Sequence, residues 1–455
     1  MTRWSRARLR AAARRILSRG LRAAEPGALV REALRVRGGV LEVAGTRYRL
    51  GRGRVLLVAA GKAAGPMARG AERALGGHLT EGIAVGSGPG PPLARTAYRR
   101  AGHPRPDLRG VRAALEVERR AASLGPQDLM LVLLSGGASA LLPAPVAGVR
   151  LGEKAATADL LMRAGATIHE LNTVRKHLSR LKGGQLARLA QPARVAGLAL
   201  SDVVGDDLAT IASGPTAPDP TRYLDALDVL RRRGVARRVP APVRRHLERG
   251  ARGRTAETPK PGDAMFDRIA TSVIGSNRLS LEAAAREARR LGLRPLILTS
   301  RLEGEAREVA RVLVAQLREC AERGTPAAPP VCLLAGGETT VTVRGKGRGG
   351  RNQELAVAAA DALAGFPTPA VVAALATDGI DGRSEAAGGI VDDRSASRSR
   401  HPLRDYLAAN DSEAALRATG DAIVIGATGT NVADVALLLC GSRAGRLRGA
   451  ARIIR

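Results

Sequence analysis

The chain has 455 residues, 45% hydrophobic and 25% charged, a balance that fits two soluble globular domains and excludes a disordered, collagen-like or membrane chain. Its formal net charge is +31 with only 2% aromatics. The charge raises a polyanionic partner, but stacking platforms for single strands are nearly absent. Lys62, Lys154, Lys176, Lys182, Lys260 and Lys346 are the lysines among 73 basic residues. Arginine makes up the excess, as a GC-rich coding sequence would produce, so the charge reads as an arginine-decorated surface with no specific nucleic-acid partner. Cys320, Cys332 and Cys440 are too far apart for a disulfide framework or metal knuckle and suit a cytoplasmic protein. The longest apolar runs, 129–134 and 435–440, are far below the ~20 residues that span a bilayer, so no membrane partner is expected.

Residues 1–22 carry eight arginines and no acid, without the apolar region of a signal peptide, and read as an amphipathic helix. Beyond them, short β-rich runs alternate with Ala/Leu/Arg helical stretches, the pattern of α/β domains with buried parallel sheets. Strands are expected at 55–60, 82–85, 129–134, 195–200, 273–274, 295–299, 331–335, 339–343, 371–376 and 422–425. Several end in glycine, serine or aspartate, and ligands of open α/β sheets bind at the carboxyl ends of strands.

The first strand runs into Gly61-Lys62-Ala63-Ala64-Gly65 and an Ala-rich helix. A lysine beside a helix N-terminus is an anion site, although this is not a Walker A loop. His103, between Gly102 and Pro104, is the one candidate functional histidine; His78, His169, His177, His246 and His401 read as structural or surface residues. Strand 129–134 leads into Ser135-Gly136-Gly137-Ala138-Ser139, whose small residues let backbone approach a phosphate or carboxylate. After 195–200 come Asp202, Asp206 and Asp207, carboxylates that with neighbouring phosphates could hold Mg²⁺ or act on a hydroxyl.

Residues 231–263 are rich in arginine and proline without a strand pattern, so the expected division is a domain over 1–235, a helix and linker over 236–262, a second domain over 263–442 and a basic tail over 443–455. In the second domain Gly336-Gly337-Glu338 follows a strand, and Gly345, Gly347 and Gly350 spell GxGxxG ahead of Arg351, Asn352, Gln353 and Glu354. A dinucleotide fingerprint is disfavoured by the alternating strand before it and by the lack of an acid about 20 residues on. A basic glycine-rich loop carrying Arg351 suits phosphoryl or carboxylate binding better. Asp378 and Asp381 end strand 371–376, and Gly426-Ala427-Thr428-Gly429 forms a further small-residue loop.

These segments together resemble the glycerate 2-kinases with a C-terminal MOFRL domain, some of which are labelled hydroxypyruvate reductases. The resemblance is carried in order by GKAAGPMA at 61–68, AGHPRPD at 101–107, LLSGGASALL at 133–142, LNTVRKHLSRLKGGQLA at 171–187, LSDVVGDDLATIASGPTAPDPT at 200–221, ETPKPGD at 257–263, GGETTVTVRGKGRGGRNQELA at 336–356, ATDGIDG at 376–382 and GTNV at 429–432. It implies a Rossmann-like three-layer α/β/α N-terminal domain with a mostly parallel sheet, a smaller α/β MOFRL domain with a mixed sheet, and a cleft between them. There ATP and Mg²⁺ would phosphorylate the 2-hydroxyl of D-glycerate to 2-phospho-D-glycerate. Lys62 and Arg351 match the family's essential basic residues and would meet the transferring phosphoryl or the glycerate carboxylate. Ser135, Gly136, Gly137, Ser139, Gly337, Glu338 and Asn352 would bind nucleotide phosphates. Asp202, supported by Asp207, would hold Mg²⁺ or orient the hydroxyl, and His103, Lys182, Asp378 and Asp381 would line the substrate cleft. The chain departs from the family at Arg383-Ser384-Glu385, Ala427 and Glu413, departures that bear on nucleotide affinity or metabolite selectivity. An NAD(P)H-dependent hydroxypyruvate reductase and a nucleic-acid-binding protein are the rival readings, and a homodimer is left open.

Overall fold

The computed structural model describes residues 4–442, which form two compact units, Glu25–Gly275 and a second that joins Met1–Ala24 to the chain from Ser276 onward. In the Glu25–Gly275 unit, β1 (Leu34–Arg37), β2 (Val40–Val43) and β3 (Thr46–Arg49) make a small antiparallel sheet. The main sheet holds β4 (Val55–Ala60), β5 (Glu81–Gly86), β6 (Thr96–Arg100), β7 (Leu129–Leu134), β8 (Arg194–Leu200) and β9 (Ile269–Gly275) in the order β6-β5-β4-β7-β8-β9. Every pairing in it is parallel. β4 and β7 are buried along their whole length, as unbroken apolar runs must be when helices cover both faces. On one face Leu56, Val58, Met130 and Val132 pack with Ala113, Ala114 and Val117 of helix Leu108–Ala122.

The other unit contains β10 (Arg294–Leu302), β11 (Val331–Gly337), β12 (Ala370–Ala376), β13 (Gly388–Asp392), β14 (Ala422–Ile423) and β15 (Asp434–Cys440), ordered β10-β11-β15-β12-β13-β14. β10 and β11 are parallel and the remaining pairs antiparallel, the expected mixed sheet. Its first helix, Arg6–Arg22, buries Leu9, Ala13, Ile16 and Leu17 against Leu281, Leu437 and Leu439. Burying each large aliphatic side chain stabilises by about 1.5–3 kcal/mol, which ties an arginine-rich helix firmly to this sheet. Ion pairs from Arg6 to Asp393 (2.5 Å) and Arg10 to Asp392 and Asp421 (2.8 Å each) reinforce the attachment.

Three expectations change. Residues 236–262 hold the expected helix, Ala241–Ala251, but do not link domains: it lies in the Glu25–Gly275 unit, where its Val243 and Leu247, with Val235 and Val239 of the preceding turns, pack with Leu171, Val174 and Tyr223. The surrounding arginines hide these apolar positions in the sequence. The division between units follows β9, and β9 pairs with β8 as an edge strand of the parallel sheet instead of opening the second domain. Residues 339–343 form no strand: Thr340 makes an isolated bridge with Glu305, and while Val341 packs against the core, Val343 is 72% exposed. The centre of the mixed sheet is β15, and strands β1, β2, β3, β6 and β13 were likewise not expected. The tail 443–455 lies outside the described residues. Among the described residues no helix is long and apolar enough to cross a membrane.

Candidate active site

Numbered by their own sequence, the six parallel strands run 3-2-1-4-5-6, and the order reverses between β4 and β7. The crevice outside the carboxyl ends at such a switch point is where open α/β sheets bind ligands. The two loops leaving it are the glycine-rich segments singled out above. They are zipped together: Lys62 N–H donates to Gly136 O at 2.8 Å, Ala63 N–H to Ser135 Oγ at 3.1 Å, and Ser135 N–H to Ala60 O at 3.0 Å. Gly61 makes this approach feasible, since its φ is +130° and a Cβ there would sit 2.5 Å from Ser135 O. A Gly61→Ala protein is therefore expected to lose about 2–5 kcal/mol, from left-handed strain plus overpacking, a loss that denaturant unfolding would register.

Around this turn the side chains converge. A Cβ on Gly136 would fall 1.9 Å from Asp202 Oδ2, so the carboxylate from the end of β8 rests on the glycine backbone. A Cβ on Gly137 would fall 2.9 Å from His103 Nε2 and 3.3 Å from Lys62 Cγ. Lys62, His103, Ser135, Gly136, Gly137 and Asp202 thus share one surface. Burial first and the Lys62 charge second hold His103 below the usual histidine pKa, so the imidazole is neutral at pH 7. Lys62→Ala is expected to raise the His103 midpoint in an NMR titration; no upward movement would mean that the two side chains do not interact. The sign for stability follows: the unfolded histidine takes up its proton at the higher pH, so stability is lost as pH falls from the unfolded pKa through the folded one.

Two further candidates, Asp207 and Lys182, are held by hydrogen bonds. Both Asp207 oxygens are engaged, one by Ala209 N–H at 3.0 Å and one by the Thr210 hydroxyl at 2.6 Å, which caps a turn and leaves Asp202 as the carboxylate at the loops. Lys182 is 2% exposed and donates to Ser139 O at 2.9 Å.

In the other unit a second cluster gathers at one sheet edge. Gly337 of β11 and Ala376 of β12 both pair with Asp434 at the start of β15. Arg351 opens helix Arg351–Ala362 and reaches Asp434 Oδ2 from Nε at 2.5 Å, Asp434 Oδ1 from Nη2 at 3.2 Å and Glu338 Oε1 from Nη1 at 2.5 Å. Burial opposes the guanidinium charge, but Asp434, Glu338 and Asp381 together hold its pKa above the ordinary arginine value. Asp434 was missed because in sequence it is one acid before an apolar run; only the central position of β15 reveals it.

Beneath Arg351, Asp381 and Asn352 are each 2% exposed and face one another rather than a cleft. Asp381 accepts from Gln353 N–H at 2.8 Å and Asn352 Nδ2 at 3.3 Å, capping the helix that carries Arg351. Asp378 is half-buried and accepts from Ile380 N–H at 3.3 Å. Gly337 is explained by packing, because a Cβ there would meet the Leu302 backbone at 2.3 Å. The 345–350 loop is also committed. Arg344 and Gly345 N–H donate to Asn410 Oδ1 at 2.7 and 2.9 Å, Gly347 N–H to Ala409 O at 3.0 Å and Arg348 N–H to Asp411 Oδ1 at 3.0 Å. Its glycines fit against this turn: Cβ atoms on Gly345 and Gly347 would lie 2.0 and 2.4 Å from Ala409 and Asp411. The buried Glu413 is met by Arg417 at 2.8 Å and Arg348 at 3.5 Å, which compensate its charge.

Residues 12–248 match the family described as "Domain of unknown function (DUF4147)" and residues 331–434 match the MOFRL family. The chain is 41% identical to the glycerate 2-kinase of Pyrococcus horikoshii, covering 95% of this chain and 97% of that one. It is 38% identical to the human glycerate kinase, covering 95% and 93%. The chain belongs to the glycerate kinase family. A solved glycerate kinase from Thermotoga maritima superposes with a TM-score of 0.84 at 37% identity, over 95% of this chain and 99% of that one. The family also contains proteins under another name: an Agrobacterium vitis relative at 42% identity, covering 86% and 88%, is called a putative hydroxypyruvate reductase. Membership of a kinase family implies ATP as a substrate.

Proposed function

We propose that the protein transfers the γ-phosphoryl group of ATP to the 2-hydroxyl of D-glycerate, giving 2-phospho-D-glycerate and ADP. The observation that carries this reading is the gathering of Lys62, His103 and Asp202 on the Ser135-Gly136-Gly137 turn at the switch point of the parallel sheet. A kinase does little covalent chemistry; it aligns the attacking hydroxyl and neutralises charge on the transferring group. Lys62 supplies the point charge, and the small-residue turn lets phosphate oxygens approach backbone. In the reaction the 2-hydroxyl oxygen bonds to the γ-phosphorus, the bond to the β–γ bridging oxygen breaks, ADP leaves and the hydroxyl proton is released. Arg351, fixed by Asp434 and Glu338, is assigned to the anionic groups of the substrates.

Among the described residues no three His, Cys, Asp or Glu side chains could hold a metal ion together. That fits Mg²⁺ of the kind that takes one or two protein carboxylates and fills its other positions with phosphate oxygens and water. Asp202 is the residue that would hold it, and when bound the ion would neutralise phosphate charge. The three cysteines are buried and free, as suits a cytoplasmic enzyme.

The reductase reading is favoured by the name of the Agrobacterium relative alone. A dinucleotide needs its fingerprint at the first β-to-helix turn of such a sheet. Here that turn reads Gly61-Lys62-Ala63-Ala64-Gly65, while the GxGxxG of 345–350 belongs to the other unit and spends its N–H groups on the 409–411 turn. ADP release that depends on D-glycerate supports the kinase reading. NADH oxidation with hydroxypyruvate in the absence of ATP would replace it.

A further inference from the structure

We propose that Arg175, with Lys182, forms a carboxylate-binding subsite that takes the C1 carboxylate of the phosphoryl acceptor; the assignment rests on the kinase reading above. Of the basic residues at 175–180, all but Arg175 are matched. Lys176 pairs with Asp219 at 3.3 Å, His177 faces Glu257 at 3.2 Å and Arg180 pairs with Glu118 at 3.0 Å. Arg175 is half-buried and has neither a hydrogen bond nor an ion pair among the described residues; Asp159 acts on it only through its charge. The buried Lys182 likewise has no acid partner among the described residues. Lys182 spends one proton on Ser139 O, and burial first and Arg175 second push its pKa down to about 7. Lys154, also buried, donates to Pro143 O at 2.6 Å and Leu178 O at 2.8 Å, and burial first and Lys182 second push its pKa well below the ordinary lysine value. Charges taken out of water without partners cost several kcal/mol each, and a bound anion offsets that cost.

The direction of Arg175 follows from the helix. Asn172, three residues earlier and on the same face, accepts from Ser213 Oγ at 2.9 Å, and Ser213 Oγ lies 2.6 Å from Ser139 Oγ. Ser213 gives its one proton to Asn172, so the Ser139 hydroxyl donates to Ser213, and through these bonds the Asn172–Arg175 face is linked to Ser139, whose carbonyl holds Lys182. Ser213 and its neighbour Ala212 hold φ of +62° and +55°, a conformation that costs non-glycine residues about 1–3 kcal/mol each and marks functional segments. An arginine fork suits a planar carboxylate.

The test is steady-state kinetics of the full chain carrying Arg175→Gln or Arg175→Lys, with D-glycerate and ATP varied separately and thermal unfolding as a check on folding. Arg175→Gln is expected to raise KM for D-glycerate by about tenfold or more, the loss typical of a charge-assisted pair, with KM for ATP within about twofold. Arg175→Lys should recover part of the loss, and it is the variant that decides if the glutamine protein fails to fold. Glycerol, which lacks the carboxylate, should be used equally poorly by wild type and variant. A KM rise confined to ATP would make this a nucleotide phosphate site, and unchanged KM values would remove the subsite. Wild-type protein that does not phosphorylate D-glycerate would sink the kinase reading instead.

Discussion

Lys62→Ala is expected to lower kcat by about 10²–10³-fold, the loss typical of removing one preorganised group that stabilises transition-state charge. The backbone that sets Lys62 does not depend on its side chain: the N–H bond to Gly136 O and the neighbouring bond from Ala63 to Ser135 Oγ persist in an alanine protein. The side chain is exposed, so truncation creates no cavity. Loss of activity with an unchanged unfolding midpoint would therefore be a chemical loss. The compact ammonium acts as a point charge, so Lys62→Arg should rescue poorly because a planar fork presents its charge and donors in a different geometry. Near-normal turnover of Lys62→Ala would refute the role given to this residue.

Arg351→Ala should damage both activity and stability. Removing it leaves Asp434, whose side chain is 10% exposed, without its two guanidinium bonds. Breaking a buried pair from one side costs about 3–5 kcal/mol, a loss visible in denaturant unfolding. On the kinase reading kcat/KM falls by about 10²-fold or more as well, because the guanidinium offers a substrate anion its charge and fork. Glu338→Gln separates the two effects. The Glu338 side chain is 49% exposed and touches Arg351 from the solvent side, so its loss should leave stability within about 1 kcal/mol. If Arg351→Ala were merely destabilised and retained its turnover per folded molecule, Arg351 would be a structural residue.

Much of this was legible in the sequence because buried parallel strands are short apolar runs that end abruptly in glycine or serine. β4 and β7 were bounded correctly from that signal, and their loops hold Lys62 and the Ser135-Gly136-Gly137 turn. Other features were hidden for physical reasons. β15 follows the loop at 426–431 and reads as one more apolar run, yet its Asp434 anchors Arg351. The apolar Val235, Val239, Val243 and Leu247 lie among arginines and resembled a linker. Glycine motifs were the most ambiguous signal. Gly136 and Gly137 make room for Asp202 and His103, whereas Gly345 and Gly347 make room only for the 409–411 turn. The sequence pattern is the same in both places, and what lies opposite each missing Cβ separates a candidate site from a packing contact. The large positive charge divides in the same way. Pairs such as Arg311–Glu308 and Arg323–Glu319 decorate exposed helix faces, where each is worth about 0–1 kcal/mol.

The most direct test of the central claim is to incubate the purified protein with ATP, Mg²⁺ and D-glycerate and identify the product by ³¹P and ¹³C NMR. The account predicts 2-phospho-D-glycerate, formed in step with ADP. Formation of 3-phosphoglycerate would contradict the site of transfer, and the absence of any phosphoglycerate would contradict the kinase assignment.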